Sequence, residues 1–317
     1  MLTKNKKIIL WTSLCAVGLL LLILGIIFDL TISKTFASLT PGKYYSQNTF
    51  AMIFECFGEI FLSFLISFCC TIIFYYLKQK PFKNKFLQYS FSIFVLLYSV
   101  VVIFYFTRKT FLYLQEYTNG SLEQFNSSLF GILTFSLISL FIELLTILIT
   151  NKLGEKFVLS TYVWAIFVLA TTLLSVVAVK LLKHIVDRTR YRAMVYIGGE
   201  NFYTYSNWYD IKGKTFNSLS KYAEDFFNSF PSGHTCVATN IFAICFLPLF
   251  YKKANNKTYK IATITIASIY TFLVALSRII AGAHFFTDVY ISFLITIGCM
   301  FLTLLILNKI LKMKGKK

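Results

Sequence analysis

Charge is scarce in this sequence, and negative charge is scarcest. Charged residues make up 14% of the 317 positions, with 13 acidic side chains against 31 basic ones. With 57% hydrophobic residues, such a chain cannot clothe a water-facing surface, which excludes an ordinary soluble domain and makes domain counting by length inapplicable. No cysteine pattern is present either. The seven cysteines (15, 56, 69, 70, 236, 245 and 299) all fall inside apolar runs, without zinc or disulfide spacing, and read as small packing residues. The net charge of +18 forms no basic stripe on a soluble domain, so nucleic acid is excluded as a partner. No small-residue cleavage site follows the first apolar run, which is too long for a signal h-region and reads as an uncleaved anchor. No internal repeat of the kind common in transporters is visible.

What is present is apolar sequence in spanning lengths. Eight segments qualify: 8–30, 51–77, 86–107, 128–150, 158–182, 233–251, 260–281 and 286–311. The expected fold is all-α, a polytopic integral membrane bundle of about eight transmembrane helices. Alternate connections hold Lys4, Lys6 and Lys7; Lys78, Lys80, Lys83 and Lys85; Lys152 and Lys156; Lys252, Lys253, Lys257 and Lys260; and Lys309, Lys312, Lys314, Lys316 and Lys317. Basic residues concentrate on the cytoplasmic side, so both termini are expected there. Five spans then precede Lys183, which puts the polar segments described next at the outer face. The expected location is the cell membrane of a bacterium.

Charged side chains inside or at the edge of a bilayer are costly and point to function. Ser277 to Asp288 reads S-R-I-I-A-G-A-H-F-F-T-D. His284 and Asp288 share a helical face, so the carboxylate can hold the imidazole. Gly282 can end the preceding helix and fold Arg278 back toward His284. Upstream stand Pro231-Ser232-Gly233-His234 and Lys183-H-I-V-D-R-T-Arg190. In this order the three stretches resemble the K-x6-R-P, P-S-G-H and S-R-x5-H-x3-D signatures of the type-2 phosphatidic acid phosphatase superfamily of lipid phosphate phosphatases. Tyr191 stands where the family has proline, which weakens the fixing of Arg190.

The resemblance implies a phosphatase acting on a lipid phosphate or diphosphate: phosphatidic acid, a phosphatidylglycerol phosphate or a polyprenyl diphosphate. Catalysis of phosphoryl transfer is mostly positioning and charge stabilisation. Lys183, Arg190 and Arg278 supply cations, and Arg takes two phosphate oxygens at once. Pro231 suits a first helical position, so Ser232, Gly233 and His234 open a helix whose free N–H groups favour an anion. Ser232 adds a hydroxyl donor, and Gly233 admits phosphate close to the backbone. His284, supported by Asp288, is assigned as nucleophile forming a phosphohistidine. His234 is assigned as the acid that protonates the leaving oxygen and later activates water. His184 is read as a bystander, and Arg188 as either a phosphate ligand or a headgroup contact. No metal or cofactor is implied. Partners are the lipid substrate and membrane lipids. Two rivals stand beside this reading: a lipid phosphotransferase using the same site, and a transporter or flippase with intramembrane glutamates. A catalytically dead scaffold is disfavoured by the intact His234, His284 and Asp288.

The chain divides into 1–157, of unassigned role, and a core 158–317 with an outer loop 191–232. Glu55, Glu59 and Glu143 are acids in the early spans. Glu55 reads as an interfacial helix-end charge, Glu59 equally as that or as a pocket residue, and mid-span Glu143 as functional. The outer loop is rich in aromatics (Tyr191, Tyr196, Phe202, Tyr203, Tyr205, Trp208, Tyr209). Its stretch 218–230 reads as a short amphipathic helix, either guiding a headgroup inward or packing as a lid.

Overall fold

A computed structural model describes residues 4–40, 42–79, 83–118, 121–197, 205–211 and 224–314, and these contain helices and no strands. The elements are α1 (Lys4–Phe36), α2 (Thr49–Phe57), α3 (Ile60–Gln79), α4 (Lys85–Tyr117), α5 (Glu123–Ser127), α6 (Leu129–Leu153), α7 (Glu155–Val186), α8 (Tyr191–Ile197), α9 (Gly233–Thr239), α10 (Lys257–Ile280) and α11 (Phe286–Lys314). Among the described residues, seven stretches are long and apolar enough to cross a membrane: α1, α2 with α3, α4, α6, α7 with α8, α10 and α11. The protein is a polytopic helical membrane bundle. Leucines and phenylalanines of α1, α4 and α6 point outward, as lipid-facing surface requires.

The sixth expected span is not among the seven. Residues 233–249 form seven residues of α9 followed by a 3-10 run, Asn240–Leu249. The local cause is competition for carbonyls. Asn240 Nδ2 donates to Cys236 O (2.9 Å), Trp164 Nε1 to Ala243 O (2.9 Å) and Tyr259 Oη to Ile244 O (3.1 Å), and Pro248 has no N–H to give. The tighter helix is also longer per residue, at about 2.0 Å against 1.5 Å, so these 17 residues cover roughly 30 Å. The segment leaves the level of His234, and α10 runs back from Lys257 to Arg278.

A buried cluster fills the space between α3, α7 and the 3-10 run, around Cys69, Cys70, Trp164 and Phe167. All seven cysteines are free. Glu143 is buried among hydroxyls: Ser67 donates at 2.8 Å, Thr71 at 3.3 Å, and Ser99 also donates. α2 and α3 are one span broken at Gly58, where a Cβ would come within 2.3 Å of Phe54 O. Of the expected helix 218–230, the described part is a 3-10 turn, Glu224–Phe227, followed by residues to 230. It is tucked in rather than laid on the membrane: Phe226 stacks on Tyr44 and Phe230 on Trp208. Leu219 and Tyr222 lie outside the described residues, as do Phe202 and Tyr203.

Candidate active site

Each signature segment is bent by its own local chemistry. α7 ends at Asp187, a left-handed residue (φ 55°) whose N–H returns to Lys183 O. The chain then turns. Arg190 N donates to Phe226 O (2.8 Å), and Arg192 N to Gly282 O (2.7 Å). α8 begins at Tyr191, the first helical position, which is where proline is at home. Tyr191 packs against Phe285 instead, and main-chain bonds to two other segments hold the turn without a fixed φ.

Ser232 caps α9. Its Oγ accepts from Thr235 N (3.3 Å) and Thr235 Oγ1 (3.0 Å), and its N–H donates to Asp288 O (3.1 Å). The expectation of a phosphate-facing hydroxyl meets a side chain engaged at the helix end, while Gly233 and His234 line the cavity. At the end of α10, Gly282 is left-handed (φ 61°), and the N–H groups of Ala283 and His284 return to Arg278 O. A Cβ at Gly282 would lie 3.1 Å from Leu39 and 3.2 Å from Arg192 Cβ, so the turn needs glycine on two counts.

Asp288 is not the nearest partner of His284. His284 Nδ1 lies 2.5 Å from Ser229 O and 3.9 Å from Asp288 Oδ2. A carbonyl only accepts, so Nδ1 carries the proton and Nε2 keeps its lone pair. Asp288 instead takes Ser229 Oγ (2.5 Å) and Phe285 N (2.8 Å) on Oδ2, and Arg188 Nη1 (2.5 Å) on Oδ1. It holds the segment that holds the histidine. Arg188, expected at the phosphate or a headgroup, is buried between Asp288 and Asp29 Oδ2 (2.8 Å) and lies over the Phe285 ring.

These segments surround a cavity of about 270 Å3, lined by Lys183, Arg190, Gly233, His234, Arg278 and His284. Asp288 and Ser232 stand behind the wall. The N-terminal half supplies the opposite side, with Tyr45, Glu55, Glu59, Lys109, Tyr113 and Glu116. An alternating chain of charge follows the wall. Arg190 Nη2 meets Asp225 Oδ1 (2.8 Å), Arg192 Nη2 meets Asp225 Oδ2 (3.1 Å), and Arg192 Nη1 (3.3 Å) and Arg278 Nη2 (2.7 Å) share Glu55 Oε1. Glu55 Oε2 accepts from Tyr117 Oη (2.5 Å). Both carboxylates still leave donors over. Arg278 Nε and Nη1, Arg190 Nε and Arg192 Nε are buried without a hydrogen-bond partner among the described residues. Lys183 Nζ donates to Asn228 O (2.6 Å).

Burial, and then the positive charges of Lys183, Arg190 and Arg278, push the His284 imidazole well below its ordinary pKa, so the ring is neutral. The same burial opposes charge on Asp225, but Arg190 and Arg192 outweigh it and hold that carboxyl down at about 2. The site thus pairs a neutral imidazole with fixed cations and free N–H donors, which is what binding and attack on a phosphoryl group need.

Sequence reasoning missed Arg192, Asp225, Lys109 and Asp29. Arg192 had a usable signal, two residues beyond Arg190 in a basic run. Asp29 is an acid inside an apolar span and qualified by the same rule as Glu143. Asp225 and Lys109 had none, because their partners are remote in sequence.

No curated protein and no solved structure matches this chain. Residues 161–312 match the sequence model of the PAP2 superfamily, a stretch that takes in all three signatures.

Proposed function

We propose that the protein is a membrane phosphatase that hydrolyses a lipid phosphate or diphosphate at the outer membrane face, through a phosphohistidine on His284. One observation carries the reading. A neutral imidazole with its Nδ1 proton pinned on Ser229 O lines the same cavity as Arg190, Arg192 and Arg278, whose guanidiniums keep N–H groups without a partner among the described residues. Phosphate oxygens satisfy those donors. His284 Nε2 attacks phosphorus, a P–N bond forms, and the P–O bond to the lipid breaks as His234 gives a proton to the leaving oxygen. Water then attacks the phosphohistidine. Its proton returns to His234, the P–N bond breaks, and inorganic phosphate leaves. Lys183, Arg190, Arg192 and Arg278 stabilise charge on the transferring group throughout.

The outer face follows from the lysine-rich connections, if residues 233–249 cross the bilayer. A transporter reading draws no support here, because Glu55 and Glu59 are tied to Arg278, Arg192 and Lys109 at the site, and Glu143 is satisfied by hydroxyls. The deciding experiment is hydrolysis by purified protein of phosphatidic acid, phosphatidylglycerol phosphate and a polyprenyl diphosphate, with and without chelator. Phosphate release from at least one lipid, unaffected by chelator, is the expected result. No release from any of them sinks the reading, and chelator-sensitive release restored by a divalent ion sinks the metal-free mechanism.

A further inference from the structure

Glu59 stands outside all three signatures and outside the stretch that matches the superfamily. It follows the break at Gly58, one helical turn beyond Glu55, and is 5% exposed. Its two oxygens face two different cations or potential cations. Oε2 is paired with Lys109 Nζ, and Oε1 lies 3.5 Å from His234 Nδ1. The other ring nitrogen, His234 Nε2, lies 3.1 Å from the backbone oxygen of Glu55. A carbonyl oxygen has no proton to give, so Nε2 carries one. Nδ1 then faces a carboxylate at ion-pair distance. Other groups around the ring are Lys109 and Tyr113 of α4, with the Tyr113 ring centroid 5.3 Å away, and Glu55 and Arg278. Lys109 also lies over the Tyr113 ring. Arg278 and Lys109 oppose an imidazolium, and Glu59 is the carboxylate at ion-pair distance from the ring to offset them.

We propose that Glu59 is a positioning residue for the proton-donating histidine: it holds His234 Nδ1 from the N-terminal half of the chain, fixing the ring so that its Nε2 proton passes from the Glu55 carbonyl to the leaving oxygen. This rests on the phosphatase reading above. Proton transfer to the leaving group is an exchange of one acceptor for another. Nε2–H leaves Glu55 O, the P–O bond breaks, and the alkoxide takes the proton. Glu59 stabilises the charged ring before transfer and restores its orientation when the hydrolytic water returns the proton. Lys109 fixes Glu59 in turn, from a second helix of the N-terminal half.

The competing account is that Glu59 is a structural partner of Lys109 and nothing more. Leaving-group dependence separates the two. A lipid alkoxide needs a proton to depart, and an aryl oxide does not. Glu59→Gln is expected to lose about 10-fold or more in kcat/KM, which reports the leaving-group step alone, on dioctanoyl phosphatidic acid, with kcat/KM on p-nitrophenyl phosphate kept within about 3-fold. Glu59→Asp should recover part of the alkyl activity. Equal loss on both substrates, or none on either, overturns the proposal. Should Glu59→Gln fail to fold, 15N NMR of the three histidines in the wild-type protein at pH 7, assigned with His184→Gln and His284→Gln, decides instead. Protonation at both nitrogens of His234 supports the pair, and a neutral ring overturns it. That measurement needs no turnover. If the wild type hydrolyses nothing, the phosphatase reading fails while the Glu59–His234 pair is still judged by the spectrum.

Discussion

His284 and Ser229 are joined by a hydrogen bond from Nδ1 to the backbone oxygen, at 2.5 Å. A main-chain carbonyl, rather than a carboxylate, thereby sets the tautomer of the histidine. Asp288 acts one step behind, through the Ser229 hydroxyl and the Phe285 amide. A carbonyl fixes the proton without adding a full negative charge to a site proposed to receive a phosphate. Asp288, meanwhile, is balanced by Arg188 and does not face the cavity.

This arrangement predicts different fates for two neighbouring substitutions. Asp288→Asn leaves Arg188 buried with Asp29 as its remaining carboxylate and should cost about 3 kcal/mol or more of stability in addition to activity. Ser229→Ala keeps the carbonyl and removes a single hydroxyl, so it should cost about 1 to 3 kcal/mol and retain measurable turnover. Thermal unfolding in detergent beside kcat measures both. Equal damage from the two changes would contradict the relay.

Removal of the proposed nucleophile is the sharper chemical test. His284→Ala should abolish turnover and leave no acid-labile phosphoenzyme after rapid quenching with 32P-labelled substrate. A variant that retains either result would move the covalent step to another residue.

The pH dependence has a definite sign. In the proposed mechanism attack requires the neutral ring, and the folded site depresses the His284 pKa. Corrected for substrate ionisation, kcat/KM should therefore hold as pH falls past about 6.5, where a free histidine would be half protonated. The linkage runs the same way. A depressed folded pKa contributes stability that is present above the unfolded value of about 6.5 and lost as pH falls toward the folded one. An acid limb centred at 6.5 would show that the surrounding cations do not act on the ring.

Arg192 is the cation that the signature pattern does not name. Arg192→Ala breaks the contacts to both Glu55 and Asp225. Vanadate, a phosphoryl mimic, should inhibit the wild type, and its inhibition constant should rise about 10-fold in the variant, as loss of a charge-assisted contact implies. Unchanged inhibition would remove Arg192 from the phosphate site.

Crossing by the 3-10 segment is open to direct test. Reporter fusions after Lys83 and at Lys317 should read cytoplasmic, and one at Asn217 external. If Lys317 reads external, residues 233–249 do not cross and the number of crossings is odd. If Asn217 reads cytoplasmic, the site faces the other way.

The apolar spans and the three signatures were legible because both are local patterns. Length shows a span, and fixed spacing shows Lys183, Arg190, His234, Arg278 and His284. What escaped was pairing at a distance. Glu55 meets Arg278 across 223 positions, and Arg188 meets Asp29 across 159. No periodicity records either. The sixth span had the right composition and the wrong helix, because Trp164 and Tyr259 claim its carbonyls from other segments. Glu55 read as an interfacial charge because its position at a helix end was visible and the two arginines facing it were not.

The chain of three guanidiniums and two carboxylates has a consequence for the end of the reaction cycle. Arg190, Arg192 and Arg278 are never bare, because Glu55 and Asp225 serve them as resident counter-ions. A cradle of unneutralised arginines would grip inorganic phosphate as firmly as the substrate. Under the proposed function, an arriving phosphate would compete with carboxylates already in place, and the carboxylates would reclaim the arginines when it goes. The expected balance is weaker capture of substrate and faster release of product.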